Sequence, residues 1–411
     1  MAATKVSPLA PERFPEMPVV YGVRLATRAC GLRYVGRDDV LFVEMDEGTT
    51  VAGVFTRSTT AAPPVDWCRN ALAGGQGRAL VVNAGNANAF TGEEGLRTVE
   101  RSVRAAAELL DCRPSRVFVA STGVIGERLD DTKITGALSA MKNDLAPGNW
   151  EAAARAIGTT DTFPKGATRS VTLGGVEVTV AGIAKGSGMI APNMATMLAF
   201  VFTDAAVPAP ILQAVLEDAN ERSFNRTTVD GDTSTSDTLL LFATGRAGNI
   251  PLIGPDDPDF DVFRAAVREV CLDLAHQVVR DGEGASKFVT ITVTGAEDSG
   301  AAKRIGLAVA DSPLVKTAIA GEDANWGRIV MAVGKSGEEA SREDMAIRIG
   351  GHAVAEQGSA VPGYDEGPIA AHMRGAEIDI AIDVGVGDGE ATVWTCDLTH
   401  GYIDINADYR T

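Results

Sequence analysis

Apolar residues recur along this chain with two periods, one suited to strands and one to helices. Short continuous or alternating runs predict strands at 40–45, 50–55, 79–83 and 117–121. Between the last two, residues 93–110 carry Leu96, Val99, Val103 and Leu110 on a helical spacing. Residues 170–173 and 176–184 alternate on either side of Gly174-Gly175, which predicts a hairpin. An apolar run over 194–203, starting after Pro192, predicts a buried strand. A helix over 208–225 follows, with Ile211, Val215 and Leu216 on one face, then a buried strand at 238–243 and a long amphipathic helix over 259–280. Further strands are predicted at 288–294, 305–310, 345–349, 377–384 and 391–397, with 385–389 as the turn between the last two. The first 20 residues are rich in Pro and predict a loose arm. The chain shows no fixed-period repeat and no low-complexity segment. The picture is mixed α/β, with sheets covered by helices in layers, and the pattern leaves the strand order open.

Composition narrows the class. The 411 residues are 45% hydrophobic and 22% charged, ample for a large core. Aromatics are 5% and Gly numbers 45, so the core rests on Val, Ile, Leu and Ala over closely spaced backbones. The net charge of −18 is spread along the chain, which reads as a solvated surface and argues against a nucleic-acid or membrane-surface partner. Cys30, Cys68, Cys112, Cys271 and Cys396 are odd in number, far apart and without a C-x-x-C, a pattern that is neither a disulfide framework nor a zinc site. They suit a reducing compartment, where buried Cys acts as a small hydrophobe. The N-terminal stretch lacks the apolar centre of a signal peptide and no apolar run approaches a membrane span, so the cytoplasm is the expected location.

The segment most suggestive of chemistry is KGSGMIAPNMATMLAF at 185–200. Gly186, Gly188 and Pro192 precede the small Ala195 and Thr196, and a buried strand follows. A tight turn that delivers a hydroxyl to the start of a strand is a recurring catalytic arrangement. From spacing alone, a glycine loop before an edge strand remains the simpler reading. STG at 121–123 likewise reads either as a plain turn after a strand or as a pair of oxyanion donors. His276, His352, His372 and His400 sit in separate contexts with no candidate Ser nearby, and read as surface or core residues.

These segments resemble the ornithine acetyltransferase (glutamate N-acetyltransferase) family, the bifunctional proteins of arginine biosynthesis. The likeness extends through VVNAGNANAFTG at 81–92, STGVIGERL at 121–129, TTDTFPK at 159–165, SFNRTTVDGDTSTSDT at 223–238, RDGEGASKF at 280–288, GEDANWGRI at 321–329 and the closing CDLTHGYIDINADYRT. Together they span nearly the whole chain in order. One departure is Ser236, where the family's STND run has Asn. If that Asn orders its loop, Ser does part of the job with a shorter reach.

The resemblance implies an α/β fold of layered mixed sheets with the N-terminal-nucleophile-like architecture that this family shares with self-cleaving aminopeptidases. It implies a cut between Ala195 and Thr196, giving an α chain, 1–195, and a β chain, 196–411, that build one active site. The Thr196 hydroxyl would attack the Ala195 carbonyl in an N→O acyl shift, and water would release the ester. The freed α-amino group, with a reference pKa of ~8, would then serve as base for its own hydroxyl. By the same resemblance Thr122 and Gly123 hold the oxyanion. Lys185 takes the substrate α-carboxylate and Glu283 the ornithine ammonium or the amino-acid backbone. Thr162 binds substrate, with Thr159 and Thr160 as alternatives in the same run. Asn406 and Thr411 belong to a tail that closes the pocket. No metal, nucleotide or flavin is expected, since neither a Rossmann spacing nor GxxxxGK[ST] is present. Acetyl-CoA stands as a second acyl donor that the sequence does not decide. The expected assembly is a heterotetramer of two α and two β chains. A hydrolase of the same architecture, discharging the acyl group to water, and an uncleaved binding paralogue are the rival readings.

Overall fold

The computed structural model describes residues 5–191 and 197–407, so Ala195, Thr196 and Thr411 lie outside the described residues. The chain forms two compact units, the larger built from Pro11–Asn225 and Asp232–Val278 and the smaller from Met1–Ala10, Arg226–Gly231 and Val279–Tyr409.

The larger unit runs β1 (Val23–Arg28), β2 (Val40–Met45), β3 (Thr50–Phe55), α1 (Pro63–Leu72), β4 (Ala79–Asn86), α2 (Gly92–Leu109), β5 (Val117–Val124), α3 (Asp131–Asn143), α4 (Trp150–Ile157), β6 (Lys165–Leu173), β7 (Val176–Lys185), β8 (Leu198–Thr203), α5 (Ala209–Glu221), β9 (Thr238–Ala243) and α6 (Phe260–Arg280), whose last two residues join the smaller unit. Two mixed sheets result, ordered β1-β2-β4-β5 and β3-β9-β8-β7-β6. In the first only β4 and β5 are parallel; in the second only β8 and β9. The sheets pack on each other through aromatic rings. Phe118 of β5 meets Phe242 of β9 edge-on at 5.7 Å between centroids, and Phe242 stacks on Phe202 of β8 at 5.5 Å. Strands β2, β8 and β9 are buried at every position, so they read as continuous apolar runs without alternation. Helices α1, α2 and α3 pack against the first sheet, and α5 and α6 against the second. Gly182 of β7 sits under Val270 and Leu274 of α6, where a Cβ would come within 2.9 Å of Leu274. This is the layered α/β fold that the pattern predicts.

The smaller unit continues with β10 (Phe288–Ala296), α7 (Ser299–Ala310), α8 (Pro313–Ala320), α9 (Trp326–Gly334), β11 (Ala346–Ile349), β12 (His352–Glu356), β13 (Ser359–Ala360), α10 (Glu366–Met373), β14 (Glu377–Asp383), β15 (Gly389–Cys396) and α11 (His400–Asn406). Its six strands order as β13-β12-β11-β14-β10-β15. In β14, Ile378, Ile380 and Ile382 face the core while Glu377, Asp379, Ala381 and Asp383 are exposed, as expected of a sheet covered on one side.

Two expectations need correction. The strand predicted at 305–310 is the second half of α7. Ala302, Ile305 and Val309 bury one helical face, and Asp298 caps the start by accepting from the Ala301 N–H at 2.7 Å. The run Ile305, Leu307, Val309 alternates by accident of composition, and the cap and the preceding small residues decide for helix. Nor is the N-terminal segment a loose arm. Residues 5–20 hold no helix or strand, but the Trp150 indole N–H donates to the Pro18 carbonyl at 2.9 Å, and Phe14 and Met17 lie against Gly166 of β6. In the smaller unit the Ser7 hydroxyl donates to the Arg280 carbonyl at 2.6 Å. The five cysteines are free, as their spacing predicts, and burial pushes the Cys68 and Cys271 thiols up to about 12.

Candidate active site

The C-terminal end of β5 is shaped by a close approach of two backbones. Thr122 and Gly123 face Ala84 and Gly85 of parallel β4, and the register shifts at Asn86. Gly123 has φ +127° and Gly85 φ +102°. A Cβ on Gly123 would lie 2.3 Å from the Gly85 carbonyl carbon, so only glycine fits there. The Asn-rich segment braces this end. Ser121 Oγ donates to Asn83 Oδ1 at 2.6 Å, and Asn83 Nδ2 donates to the Asn86 carbonyl at 2.9 Å. Asn86 reaches the Glu127 carbonyl at 3.1 Å and accepts from the Asn88 N–H at 2.8 Å. Thr122, which follows Ser121 on β5, is 3% exposed.

A second cluster forms where β7 ends. Lys185 is 2% exposed, and its Nζ lies 4.0 Å from Asp161 Oδ2. Asp161 also binds the fully buried Lys165, at 2.7 Å, and accepts from the Gly186 N–H at 2.7 Å and the Thr159 N–H at 2.9 Å. Burial works against ionising Asp161, but the Lys165 and Lys185 charges and these hydrogen bonds hold its carboxyl well below the usual carboxylate range. Among the described residues the cluster thus sets two ammonium groups on one ionised carboxylate, a sign that suits an anionic substrate group.

Thr162 lines a cavity of about 340 Å³ with Arg37, Asp38, Ala154, Asp161 and Phe163. Thr160 instead hydrogen-bonds Ser187 at 2.6 Å. Within 185–189, Gly186 takes φ +149° and Met189 φ +57°, the latter a conformation uncommon for a residue with a side chain. The notable angles therefore fall at Gly186 and Met189 rather than at Gly188.

The described chain resumes at Met197, where three strands of one sheet meet at the same end. Lys185 of β7 pairs with Leu198 of β8, and Leu198 pairs with Thr238 of β9. Met197 N–H donates to Asp237 Oδ1 at 2.9 Å. The adjoining loop is held by backbone carbonyls: Thr56 donates to the Ser234 carbonyl at 2.7 Å and the Ala62 N–H to the Thr235 carbonyl at 2.8 Å. The Ser236 hydroxyl lies 3.2 Å from that of Thr235, its N–H donates to Ser234 Oγ at 3.1 Å and its carbonyl accepts from Thr238 Oγ1 at 3.0 Å, so its shorter side chain leaves these anchors in place.

In the smaller unit the loop 280–288 is clamped to the closing segment. Asp397 accepts from the Ser286 and Lys287 N–H groups at 2.8 and 2.9 Å. Thr399 Oγ1 donates to the Gly284 carbonyl at 2.6 Å. This brings Asn406 Nδ2 to Glu283 Oε2 at 2.7 Å, joining two residues singled out from the sequence. Gly284, at φ +74°, admits the α11 backbone where a Cβ would lie 2.5 Å from Tyr402 N. His372 accepts from the Asp379 N–H at 2.9 Å, a structural use, and His352 and His400 are exposed.

Residues 24–411 match the ArgJ family model. This chain belongs to the ArgJ family. It is 55% identical over 406 residues to the arginine biosynthesis bifunctional protein ArgJ of Gluconobacter oxydans, covering 99% of this chain and 96% of that one. The protein of the same description from Rhizobium meliloti is 56% identical over 409 residues, covering 99% of both. The crystal structure of ArgJ from Bacillus halodurans is 42% identical, with a TM-score of 0.50, over 51% of this chain and 98% of that chain. Sequence reasoning missed Asp161 and Lys165 as Lys185's surroundings, although both lie inside the TTDTFPK run. It also left the Asn-rich segment without a task, and the bracing of Thr122 and Gly123 supplies one.

Proposed function

We propose that this chain is a self-cleaving ornithine acetyltransferase of arginine biosynthesis, passing acetyl from N-acetylornithine to glutamate through acetyl-Thr196. The observation that carries this reading is the buried Lys165–Asp161–Lys185 cluster at the end of β7, whose last residue pairs in the ladder with the second residue after Thr196. A cation held there receives the α-carboxylate common to donor and acceptor. Thr122 and the Gly123 N–H, at the braced end of β5, hold the tetrahedral oxyanion. Thr162 contacts substrate. Glu283, oriented by Asn406, meets the ornithine ammonium, and Thr411 belongs to the same closing tail.

The mechanism is ping-pong. Thr196 takes the acetyl group, ornithine leaves, and glutamate attacks the acetyl-enzyme. Acetyl-CoA serves as a second donor, in line with the bifunctional description of the relatives. The cut chain consists of an α chain, 1–195, and a β chain, 196–411, which assemble as two α and two β in the cytoplasm. The match of only 51% of this chain to 98% of the Bacillus halodurans chain is in keeping with a two-chain protein. Among the described residues no helix is long and apolar enough to cross a membrane.

The test is the mature protein itself. Intact mass and N-terminal sequencing should give two fragments, the second beginning at Thr196. Thr196→Ala should abolish both cutting and transfer, while Thr196→Ser keeps a part of each. An active chain that stays whole at 42.7 kDa sinks the mechanism. Acetyl passed to water in preference to glutamate would assign the chain to the hydrolase reading.

A further inference from the structure

Asp237 is fully buried at the start of β9, at the sheet end where β7 stops and β8 begins. Its Oδ1 accepts from the Met197 N–H at 2.9 Å, and its backbone carbonyl accepts from the Thr56 N–H at 3.1 Å. Its Oδ2 is buried and has no hydrogen-bond partner among the described residues. A buried carboxylate oxygen left bare costs several kcal/mol, so a carboxyl in this position carries a proton or has a task for one. Lys185 is the charged group that acts on it from β7, and Arg69 of α1 lies beyond the neighbouring Thr56 carbonyl, to which it donates. Burial pushes the carboxyl well above its usual range, against the Met197 N–H, the nearby Thr56 hydroxyl and the Lys185 charge.

We propose that Asp237 is the acid of the self-cleavage step, delivering the proton that the Thr196 nitrogen must take for the Ala195–Thr196 peptide bond to break. The proposal rests on the self-cleaving reading above. Its chemistry closes. The Thr196 Oγ–carbonyl carbon bond forms and the carbon–nitrogen bond breaks. The nitrogen leaves as an amine with the proton from Asp237, and the hydroxyl proton restores the carboxyl. Water then splits the ester, giving the Ala195 carboxylate and the free Thr196 hydroxyl. An amide nitrogen is a poor leaving group without such a proton, and general acids supply about 10²–10⁴-fold in such steps. The Met197 contact ties Asp237 to the residue directly after the nucleophile. Oδ1 is occupied there, which leaves Oδ2 for the proton.

The experiment follows cutting of the full chain over time after cell-free synthesis, on denaturing gels and by intact mass, from pH 5.5 to 8.5. Asp237→Asn keeps an acceptor for Met197 but removes the acid, and should slow cutting by about 10²-fold. Asp237→Glu restores an acid and should recover part of the rate. Wherever wild-type cutting falls as rising pH ionises the carboxyl, the Asn variant's residual cutting should lack that limb. Wild-type speed in the Asn variant, equal slowing in both variants, or a wild-type pH limb retained without the carboxyl overturns the role of Asp237. A wild-type chain that never cuts overturns the self-cleaving reading along with it.

Discussion

At the scale of single residues, binding and chemistry fall to different groups. In the proposed site Lys185 meets a carboxylate present in every state of the substrate, whereas Thr122 meets an oxygen that becomes anionic only in the transition state. Losing the first contact should raise KM, and losing the second should lower kcat. A charge-assisted hydrogen bond is worth about 1.5–3 kcal/mol, so Lys185→Ala should raise KM for N-acetylornithine by about 10–100-fold. Thr122→Ala should lower kcat by about 10²-fold with little change in KM. Because the proposed oxyanion donors would also serve the proposed self-cleavage, steady-state rates must be normalised to the cut fraction. Thr122→Ala with full normalised kcat would reduce Thr122 to a turn residue.

At the scale of elements, the sequence exposed some features and hid others for physical reasons. The runs at 40–45, 50–55 and 238–243 are strands with the same bounds as predicted, the first and last buried throughout as continuous apolar runs that leave no helical face to expose. The alternating stretch at 305–310 misled because its decisive signal, the Asp298 cap, lies outside it. Lys185 was singled out by resemblance, but its Asp161–Lys165 surroundings were not, since charges four residues apart at the entry to a strand look like ordinary loop polarity. The pairing of Glu283 with Asn406 depends on two segments over 100 residues apart, which no local pattern records. The β7–β8 ladder also bears on the proposed cut. It joins Val180 to Thr203 through Lys185 to Leu198, and breaking one peptide bond between 195 and 196 removes none of these pairs. β8 is buried along its whole length between β7 and β9. The two fragments should therefore run as one species in native mass spectrometry and separate only in denaturant. Fragments that part under native conditions would contradict the placement of the cut between these strands.

At the scale of the whole molecule, the question is which acyl donors a single nucleophile serves. A ping-pong enzyme forgets its donor once the acyl group is transferred, because the proposed acetyl-Thr196 would be the same species from an amide or a thioester. A thioester is the more activated of the two, so acylation chemistry sets no barrier to acetyl-CoA, and recognition alone decides. The net charge of −18 opposes a polyanionic donor at long range, and that repulsion is screened by salt over about 8–10 Å. The purified enzyme given only acetyl-CoA and glutamate should form N-acetylglutamate and release thiol in equal amounts, and Thr196→Ala should do neither. The rate should rise with ionic strength, since screening weakens the repulsion, while the reaction with zwitterionic N-acetylornithine should respond less. Parallel double-reciprocal lines for either donor against glutamate would mark the shared acetyl-enzyme. N-acetylglutamate made from N-acetylornithine but never from acetyl-CoA, at any salt, would make this chain a recycling enzyme alone.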